Sequence, residues 1–231
     1  MMRSRMGAIA AALATVAVAV TTVVAPAGAA PASASTPSST RTSTSTSESG
    51  WVVENPRVDG LYETNEGSVT IANVTTGATI SCSGVSGWWG RADSGTIRPQ
   101  DWFANSGVTV YDACTGPGPA DLQVISTPDL VFLADSYDAG ADRVSGTAYP
   151  LTWGLFLDSP DCQVDMYAPD ADVSAPLTYD NPTGTLDVEP VEVVATRAEG
   201  PGCAGVAAVG DVLTFATTLV LTPAFTVRPA N

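Results

Sequence analysis

Alternation of apolar and polar residues with a period of two constrains this chain more than any other feature of its sequence. The pattern runs through segments rich in β-branched or aromatic residues at 68–71, 78–81, 108–111 and 163–166. Successive side chains of a β-strand point to opposite faces, so this alternation predicts strands with one buried face. Apolar runs at 130–133 and 212–221 predict more fully buried strands, and 21 Gly and 17 Pro argue against long helices. We therefore predict an all-β fold, and the pattern leaves open whether it is a sandwich or a barrel.

The first 34 residues have the order of a secretory signal peptide. Arg3 and Arg5 precede an uncharged run at 6–25, and small residues then offer cleavage near 29–34. The apolar run is almost long enough for the rival assignment, a transmembrane anchor. It is rich in Ala and Thr, however, and ends before cleavable residues. We predict its removal and secretion to the extracellular space, with no transmembrane anchor after processing.

The rest of the chain divides into a linker and a domain. Residues 35–50 are almost entirely Ser and Thr, which cannot bury enough apolar surface to offset the entropy of ordering. We predict a disordered linker there and a single all-β domain over 51–231. A Gly-Thr-apolar motif precedes a cysteine by 19 residues twice, from Gly95 to Cys114 and from Gly184 to Cys203. The spacing suggests an internal repeat of two β modules, 65–140 and 143–222, with chance as the alternative.

Four cysteines remain after processing: Cys82, Cys114, Cys162 and Cys203. An even number in an exported chain indicates two disulfides. A zinc site is not indicated, because it needs a close pair of cysteines, usually with His. If the repeat is real, each module closes its own bridge, and the pairing is Cys82–Cys114 and Cys162–Cys203.

A series of short motifs follows in order along the domain. They are Ile80-Ser81-Cys82-Ser83-Gly84, Ser94-Gly95-Thr96-Ile97, Ala113-Cys114-Thr115-Gly116-Pro117, Ala134-Asp135-Ser136-Tyr137-Asp138, Gly184-Thr185-Leu186, and Gly202-Cys203-Ala204-Gly205 with Gly210-Asp211. This order resembles a group of small secreted actinobacterial all-β proteins with four cysteines, over most of residues 67–223. The shared positions are cysteines, turn glycines and strand starts. The resemblance therefore implies a fold and implies no activity or catalytic residue.

Two absent residue types exclude most catalytic chemistries. The chain has no His and no Lys, which removes Ser-His-Asp and Cys-His sites, Schiff-base lysines and phosphate-loop lysines. Processing leaves seven Arg against 24 Asp and Glu, a net charge of −17 that repels nucleic acids and other polyanions. Carboxylate chemistry, as in glycoside hydrolases, remains. With so many acids, some pair will lie at catalytic distance by chance, so the presence of such a pair does not indicate catalysis. Since no other catalytic group is recognised, we predict that the protein is not an enzyme.

Two kinds of candidate site remain. Asp135, Asp138 and Asp142 lie in one acidic loop whose carboxylates suit calcium, with a solvated turn as the alternative. The adjacent residues Trp88 and Trp89 predict at least one exposed flat ring for a sugar or an apolar partner. Packing of one ring on a disulfide is the alternative there. The pair Trp102-Phe103 has the same form.

These observations predict a secreted, non-catalytic extracellular binding or interaction module. Its binding residues are predicted to be Trp88 and Trp89, and it needs no cofactor unless the acidic loop binds calcium. The alternatives are a carrier of a small apolar ligand and, less favoured, a carboxylate-based glycoside hydrolase. The predicted partner is a polysaccharide, another protein or a small apolar ligand, and not nucleic acid.

Overall fold

Burial alternates along the strands as the alternation of the sequence predicts. A computed structural model of the protein describes residues 50–86, 88–126, 130–150, 154–170 and 173–230. Within these residues the regular structure is strand, apart from a 3₁₀ turn at Pro201–Cys203, and the predicted all-β fold is confirmed. None of them forms a helix long and apolar enough to cross a membrane. The predicted signal peptide (1–34) and nearly all of the predicted linker (35–50) lie outside the described residues.

The described residues contain sixteen strands. In the first part of the chain they are β1 (Trp51–Glu54), β2 (Leu61–Asn73), β3 (Thr79–Ser86), β4 (Trp88–Arg91), β5 (Gly95–Ile97), β6 (Trp102–Asn105), β7 (Thr109–Thr115) and β8 (Gln123–Ser126). They continue as β9 (Leu130–Asp138), β10 (Arg143–Pro150), β11 (Gly154–Ser159), β12 (Cys162–Tyr167), β13 (Ala175–Asp180), β14 (Thr185–Glu199), β15 (Val212–Thr222) and β16 (Thr226–Pro229). Each segment predicted as a strand overlaps one of these elements.

Thirteen strands form one antiparallel sheet that closes on itself twice. Ring A runs in the order β12-β11-β8-β7-β3-β2-β15-β14 and closes where β14 pairs with β12. Ring B runs in the order β2-β15-β14-β13-β10-β9-β6-β4 and closes where β4 pairs with β2. Each ring is barrel-like and contains eight strands, and β2, β14 and β15 belong to both. The architecture left open by the sequence is therefore a closed, barrel-like one.

The shared strands use different parts of their length in the two rings. Leu61–Thr64 of β2 pair with β4 in ring B, whereas Val69–Ala72 pair with β3 in ring A. Likewise Thr185–Val188 of β14 pair with β13 in ring B, and 194–199 pair with β12 in ring A. The two rings therefore follow one another along the same long strands.

A glycine in β2 and a proline in β14 lie where the shared strands pass from one ring to the other. A Cβ atom on Gly67 of β2 would lie 2.7 Å from the carbonyl oxygen of Thr218. In β14 the pairing with β15 jumps from Val188 to Val191, a bulge that leaves Pro190 outside the ladder. Pro has no N–H to donate, so a bulge is one of the few places where a strand tolerates it.

The predicted modules, 65–140 and 143–222, do not form separate bodies. Ring A combines β3, β7 and β8 of the first half with β11 and β12 of the second, and ring B mixes the halves in the same way. The repeated motif also differs in setting, because residues 95–97 form β5 whereas residues 184–186 lead into β14. The described residues belong to one compact unit, and the repeat stays a prediction.

Both predicted disulfides are present, and both belong to ring A. Cys82–Cys114 joins directly opposed residues of β3 and β7, and Cys162–Cys203 ties the start of β12 to the 3₁₀ turn. The bridges span 32 and 41 residues. Closing loops of that size stabilises a protein by about 4 kcal/mol each in the chain-entropy model. Disulfides persist in oxidising compartments, and these two therefore suggest an extracellular setting.

Aromatic side chains fill ring B. The ring of Phe103 lies 6.2 Å from that of Phe132 and 6.0 Å from that of Tyr179, measured between centroids. Phe225, which follows β15, stacks on Tyr179 at 4.8 Å and meets Tyr62 at 5.4 Å. All five residues are almost fully buried. Such tilted and stacked pairs add to the free energy of burial and fix the positions of the rings.

A small sheet of order β16-β1-β5 joins the same hydrophobic core. Val53 of β1 lies opposite Val227 of β16, and both are buried. On the other side of β1, the buried Trp51 lies opposite Ile97 of β5. The sheet therefore fixes β5, which lies just before β6 in the chain.

Tyr179 supplies a test of this core. Its hydroxyl donates a 2.8 Å hydrogen bond to the carbonyl oxygen of Phe225 and accepts a 3.1 Å hydrogen bond from the Phe225 N–H group. Replacing Tyr179 with Phe leaves two buried backbone groups without this partner, so we expect the free energy of unfolding to fall by about 1–3 kcal/mol. Urea unfolding measures the change.

The matched control is Tyr149→Phe, at an exposed position on β10. It should change the free energy of unfolding by less than about 0.5 kcal/mol. Equal stability of the two variants would contradict the role given to the Tyr179 hydroxyl.

Candidate functional site

The three carboxylates predicted to bind calcium have different partners. Asp135 of β9 accepts a 2.7 Å hydrogen bond from the hydroxyl of Thr147. Asp138 accepts a 2.8 Å hydrogen bond from the N–H of Gly140, as Asp does when it closes a turn. Among the described residues, no three His, Cys, Asp or Glu side chains gather in a group that could hold a metal ion. Calcium binding by Asp135, Asp138 and Asp142 stays a prediction, and the geometry adds no support to it.

Asp142 connects the β9–β10 hairpin to two distant parts of the chain. Its Oδ1 accepts hydrogen bonds from Tyr137 at 2.7 Å and Asn181 at 2.8 Å, and its Oδ2 accepts one from Arg228 at 2.8 Å. Its φ of 52° lies in the left-handed region, which Asp and Asn adopt more readily than most residues. The hydrogen bond from Arg228, with those from Asn181 and Tyr137, holds the pKa of Asp142 well below its ordinary value. The carboxylate thus fixes β16 against the β9–β10 hairpin.

Asp142 predicts a dependence of stability on acid pH. Because its pKa is lower in the folded protein than the ordinary value of about 3.9, its contribution is complete at neutral pH. The contribution is lost as the pH falls from about 5 toward the pKa of the folded state. Asp142→Asn keeps the backbone conformation and removes the charge. We expect its melting temperature to be below that of the parent at pH 7, with a difference that shrinks toward pH 2.

Thermal unfolding between pH 2 and pH 7 measures this effect. The control is Glu192→Gln, which removes one carboxylate from an exposed position on β14. A constant difference between Asp142→Asn and the parent at every pH would show that ionisation of Asp142 does not matter for stability.

The binding residues predicted from the sequence can be placed only by their backbone. Trp88 and Trp89 lie in β4, opposite Thr64 and Glu63 of β2. Their side chains lie outside what the structure describes. A binding role for this pair therefore stays a prediction.

Trp102 is the tryptophan that the structure places at a concave surface. In β6, Trp102 pairs with Leu133 and Ala104 pairs with Phe132, so Phe103 is the extra residue of a β-bulge. A bulge changes the direction of the side chains around it. Phe103 and Ala104 are consequently both buried, whereas Trp102 is 40% exposed. One ring of the Trp102-Phe103 pair is therefore exposed and the other is buried.

Trp102 lines a groove of about 270 Å³. The other lining residues are Ile97 of β5, the buried Phe103, and two aspartates, Asp93 and Asp101. Apolar surface thus meets carboxylates within one small concavity. This combination of a flat ring with a few polar groups is typical of ligand sites.

Each aspartate of the groove forms an ion pair with an arginine close to it in the chain. The Nε of Arg91 lies 2.8 Å from both carboxylate oxygens of Asp93. Arg98 donates to Asp101 from Nε at 3.0 Å and from Nη2 at 2.9 Å, a bidentate arrangement. The hydrogen bonds from Arg98 lower the pKa of Asp101, so this carboxyl group is ionised at neutral pH.

Asn55 and Gly60 hold the loop that carries Asp93. The Nδ2 of Asn55 donates to the carbonyl oxygen of Ala92 at 3.1 Å, and its backbone N–H donates to the hydroxyl of Ser94 at 2.8 Å. A Cβ atom on Gly60 would lie 2.5 Å from Oδ1 of Asp93, so only Gly lets the carboxylate approach. These contacts fix the loop beside the groove, which lowers the cost of ordering it around any bound molecule.

A larger crevice of about 440 Å³ lies beside the Cys162–Cys203 disulfide. Its described lining consists mainly of Ala, Gly, Pro and Val, without an aromatic ring. Its carboxylate, Asp211, accepts hydrogen bonds from Asn73 Nδ2 at 2.8 Å and from the Ala208 N–H at 2.9 Å. These bonds lower the pKa of Asp211 and fix the loop. The crevice therefore offers fewer groups for recognition than the groove at Trp102.

Comparisons with protein-family models, with curated proteins and with solved structures found no match to this chain. The resemblance to small secreted actinobacterial proteins therefore stays a prediction.

The sequence indicates only part of the groove. Trp102-Phe103 is an adjacent aromatic pair of the same form as Trp88-Trp89, and the predicted binding residues are Trp88 and Trp89. The local sequence Arg98-Pro99-Gln100-Asp101 contains opposite charges three residues apart, a signal of a charged turn. Nothing in the sequence shows that this turn, β5 and the loop at Asp93 meet beside Trp102.

Proposed function

We propose that the protein is a secreted, non-catalytic binding module that holds its ligand in the groove at Trp102. The observation that carries this proposal is the exposed indole of Trp102, which lies next to the buried Phe103 at a β-bulge. The flat face of an indole suits a ligand with an apolar face. The carboxylates of Asp93 and Asp101 supply polar contacts beside it.

Two features support secretion. The two disulfides need an oxidising compartment to persist. The first 34 residues have the order of charged, apolar and small residues that export signals share.

Binding accounts for the groove better than catalysis does. Glycoside hydrolysis by two carboxyl groups needs one of them protonated, with a raised pKa, to act as the acid. Asp101 has the opposite property, because Arg98 lowers its pKa. The carrier alternative needs an empty interior that can hold a ligand. Large side chains such as Tyr111 of β7 and Phe215 of β15 are buried in the core instead.

A screen by nuclear magnetic resonance tests the proposal. The purified, disulfide-bonded protein is mixed with pools of soluble saccharides, amines and small apolar molecules. We expect ligands to shift the indole N–H resonance of Trp102 more than that of the buried Trp51, which lies opposite Ile97 of the groove. Shifts confined to core residues would favour the carrier. The absence of any ligand at Trp102 would contradict the proposed site.

A truncation then measures how much the indole contributes. For a ligand found in the screen, Trp102→Ala should weaken binding by about 1–2 kcal/mol, or about 5- to 30-fold in Kd, because stacking and apolar contact are lost. Trp102→Phe should keep part of the affinity, and Tyr149→Ala, also at an exposed aromatic position, should keep all of it. Calorimetric titration gives the three affinities, and far-ultraviolet dichroism verifies the folds. Equal affinities of Trp102→Ala and Tyr149→Ala would contradict the proposal.

A further inference from the structure

The charge of the groove differs from that of the protein. The whole chain has a net charge of −15. Every arginine in the described ranges nevertheless has a carboxylate oxygen within 2.6–3.3 Å, in the pairs Arg57–Asp59, Arg91–Asp93, Arg98–Asp101, Arg143–Asp180, Arg197–Glu199 and Arg228–Asp142. The aspartates of two of these six pairs, Asp93 and Asp101, line the groove, and each is in contact with its arginine. The groove is therefore a locally neutral site on an acidic protein.

Neutrality of the groove decides which class of ligand it suits. An ammonium ligand is attracted to an aromatic face, but it also needs a carboxylate to balance its charge. Here Asp93 and Asp101 already balance Arg91 and Arg98. A polyanion finds no unpaired arginine among the described residues and is repelled by the net charge. Neither charged class fits the site.

An uncharged polyhydroxyl ligand needs donors and acceptors in the same place, and the ion pairs provide both. An ionised carboxylate has about four lone-pair positions, more than its arginine occupies. Arg91 contacts both oxygens of Asp93 through its Nε atom. Its terminal NH₂ groups form no hydrogen bond with the described residues and can donate to another acceptor. The carboxylates of Asp93 and Asp101 line the groove beside an apolar surface formed by Trp102 and Ile97.

From the proposed binding role of this groove, we infer that its ligand is an uncharged saccharide. One sugar ring stacks on Trp102, and its hydroxyl groups bind the Asp93–Arg91 and Asp101–Arg98 pairs. The groove volume of about 270 Å³ is below the roughly 300–1,000 Å³ of sites for drug-sized molecules, so it holds a short segment of a chain. The rest of an oligosaccharide extends into solvent.

Hexasaccharides that differ in charge test this inference. Three are neutral, made of β-linked glucose, mannose or N-acetylglucosamine. A hexamer of glucosamine is the cationic match for the last of these, and a hexamer of galacturonic acid is anionic. We expect at least one neutral hexamer to bind, with a Kd that rises about 5- to 30-fold in Trp102→Ala. Its Kd should change less than about twofold between 20 and 500 mM NaCl, because no net charge is brought together.

Other outcomes separate this inference from the proposed function. If only the glucosamine hexamer binds, with an affinity that falls steeply with salt and depends on Trp102, the binding site stands and the neutral ligand is wrong. If no hexamer binds while the screen yields another ligand at Trp102, the saccharide is likewise wrong. If nothing binds at Trp102 in either experiment, both proposals fall.

An arginine variant tests the charge directly. Arg98→Gln leaves Asp101 unpaired and makes the groove negative, so the glucosamine hexamer should gain at least about fivefold in affinity at low salt. Arg197→Gln, whose ion pair lies on β14 of ring A, changes the net charge equally and should leave both affinities within about twofold. An unchanged preference in Arg98→Gln would overturn the inference that these ion pairs set the charge of the ligand.

Discussion

The sharing of β2, β14 and β15 by two closed rings is the constraint on which the rest of the structure depends. Each of these strands must present buried side chains to two interiors in succession. At the crossing, Thr217 accepts a 2.8 Å hydrogen bond from the hydroxyl of Tyr111 and donates a 2.9 Å bond to the carbonyl oxygen of Ser68. A buried polar group that is fully paired costs little and favours one register of the strands. The shared strands thereby couple the stability of the two rings.

The packing of ring B determines the geometry of the candidate site. Phe103 lies among Phe132, Tyr179 and Phe225, and a ring held on three sides has little freedom to move. Trp102 precedes this fixed residue in the chain, so the packing of the core also restricts the position of the exposed indole. A site supported in this way loses little entropy when a ligand binds.

The sequence was informative where structure depends on local pattern. Period-two alternation located the strands, and cysteine number and spacing led to the observed disulfides. It was uninformative where distant residues meet. No local signal pairs β12 with β14 or β4 with β2, so ring closure was not predictable. Asp135, Asp138 and Asp142 are close in sequence, yet Asp142 is bound by Arg228, 86 residues away.

Interactions that stabilise the fold and those that form the groove differ in sequence separation. Asp142 and Arg228 lie 86 residues apart and Asn73 and Asp211 lie 138 apart, so changing either affects how distant strands meet. The ion pairs of the groove join residues only two or three positions apart. Exposed pairs of this kind contribute little to the free energy of folding. The polar groups of the groove can therefore change, and ligand preference with them, while the two rings stay intact.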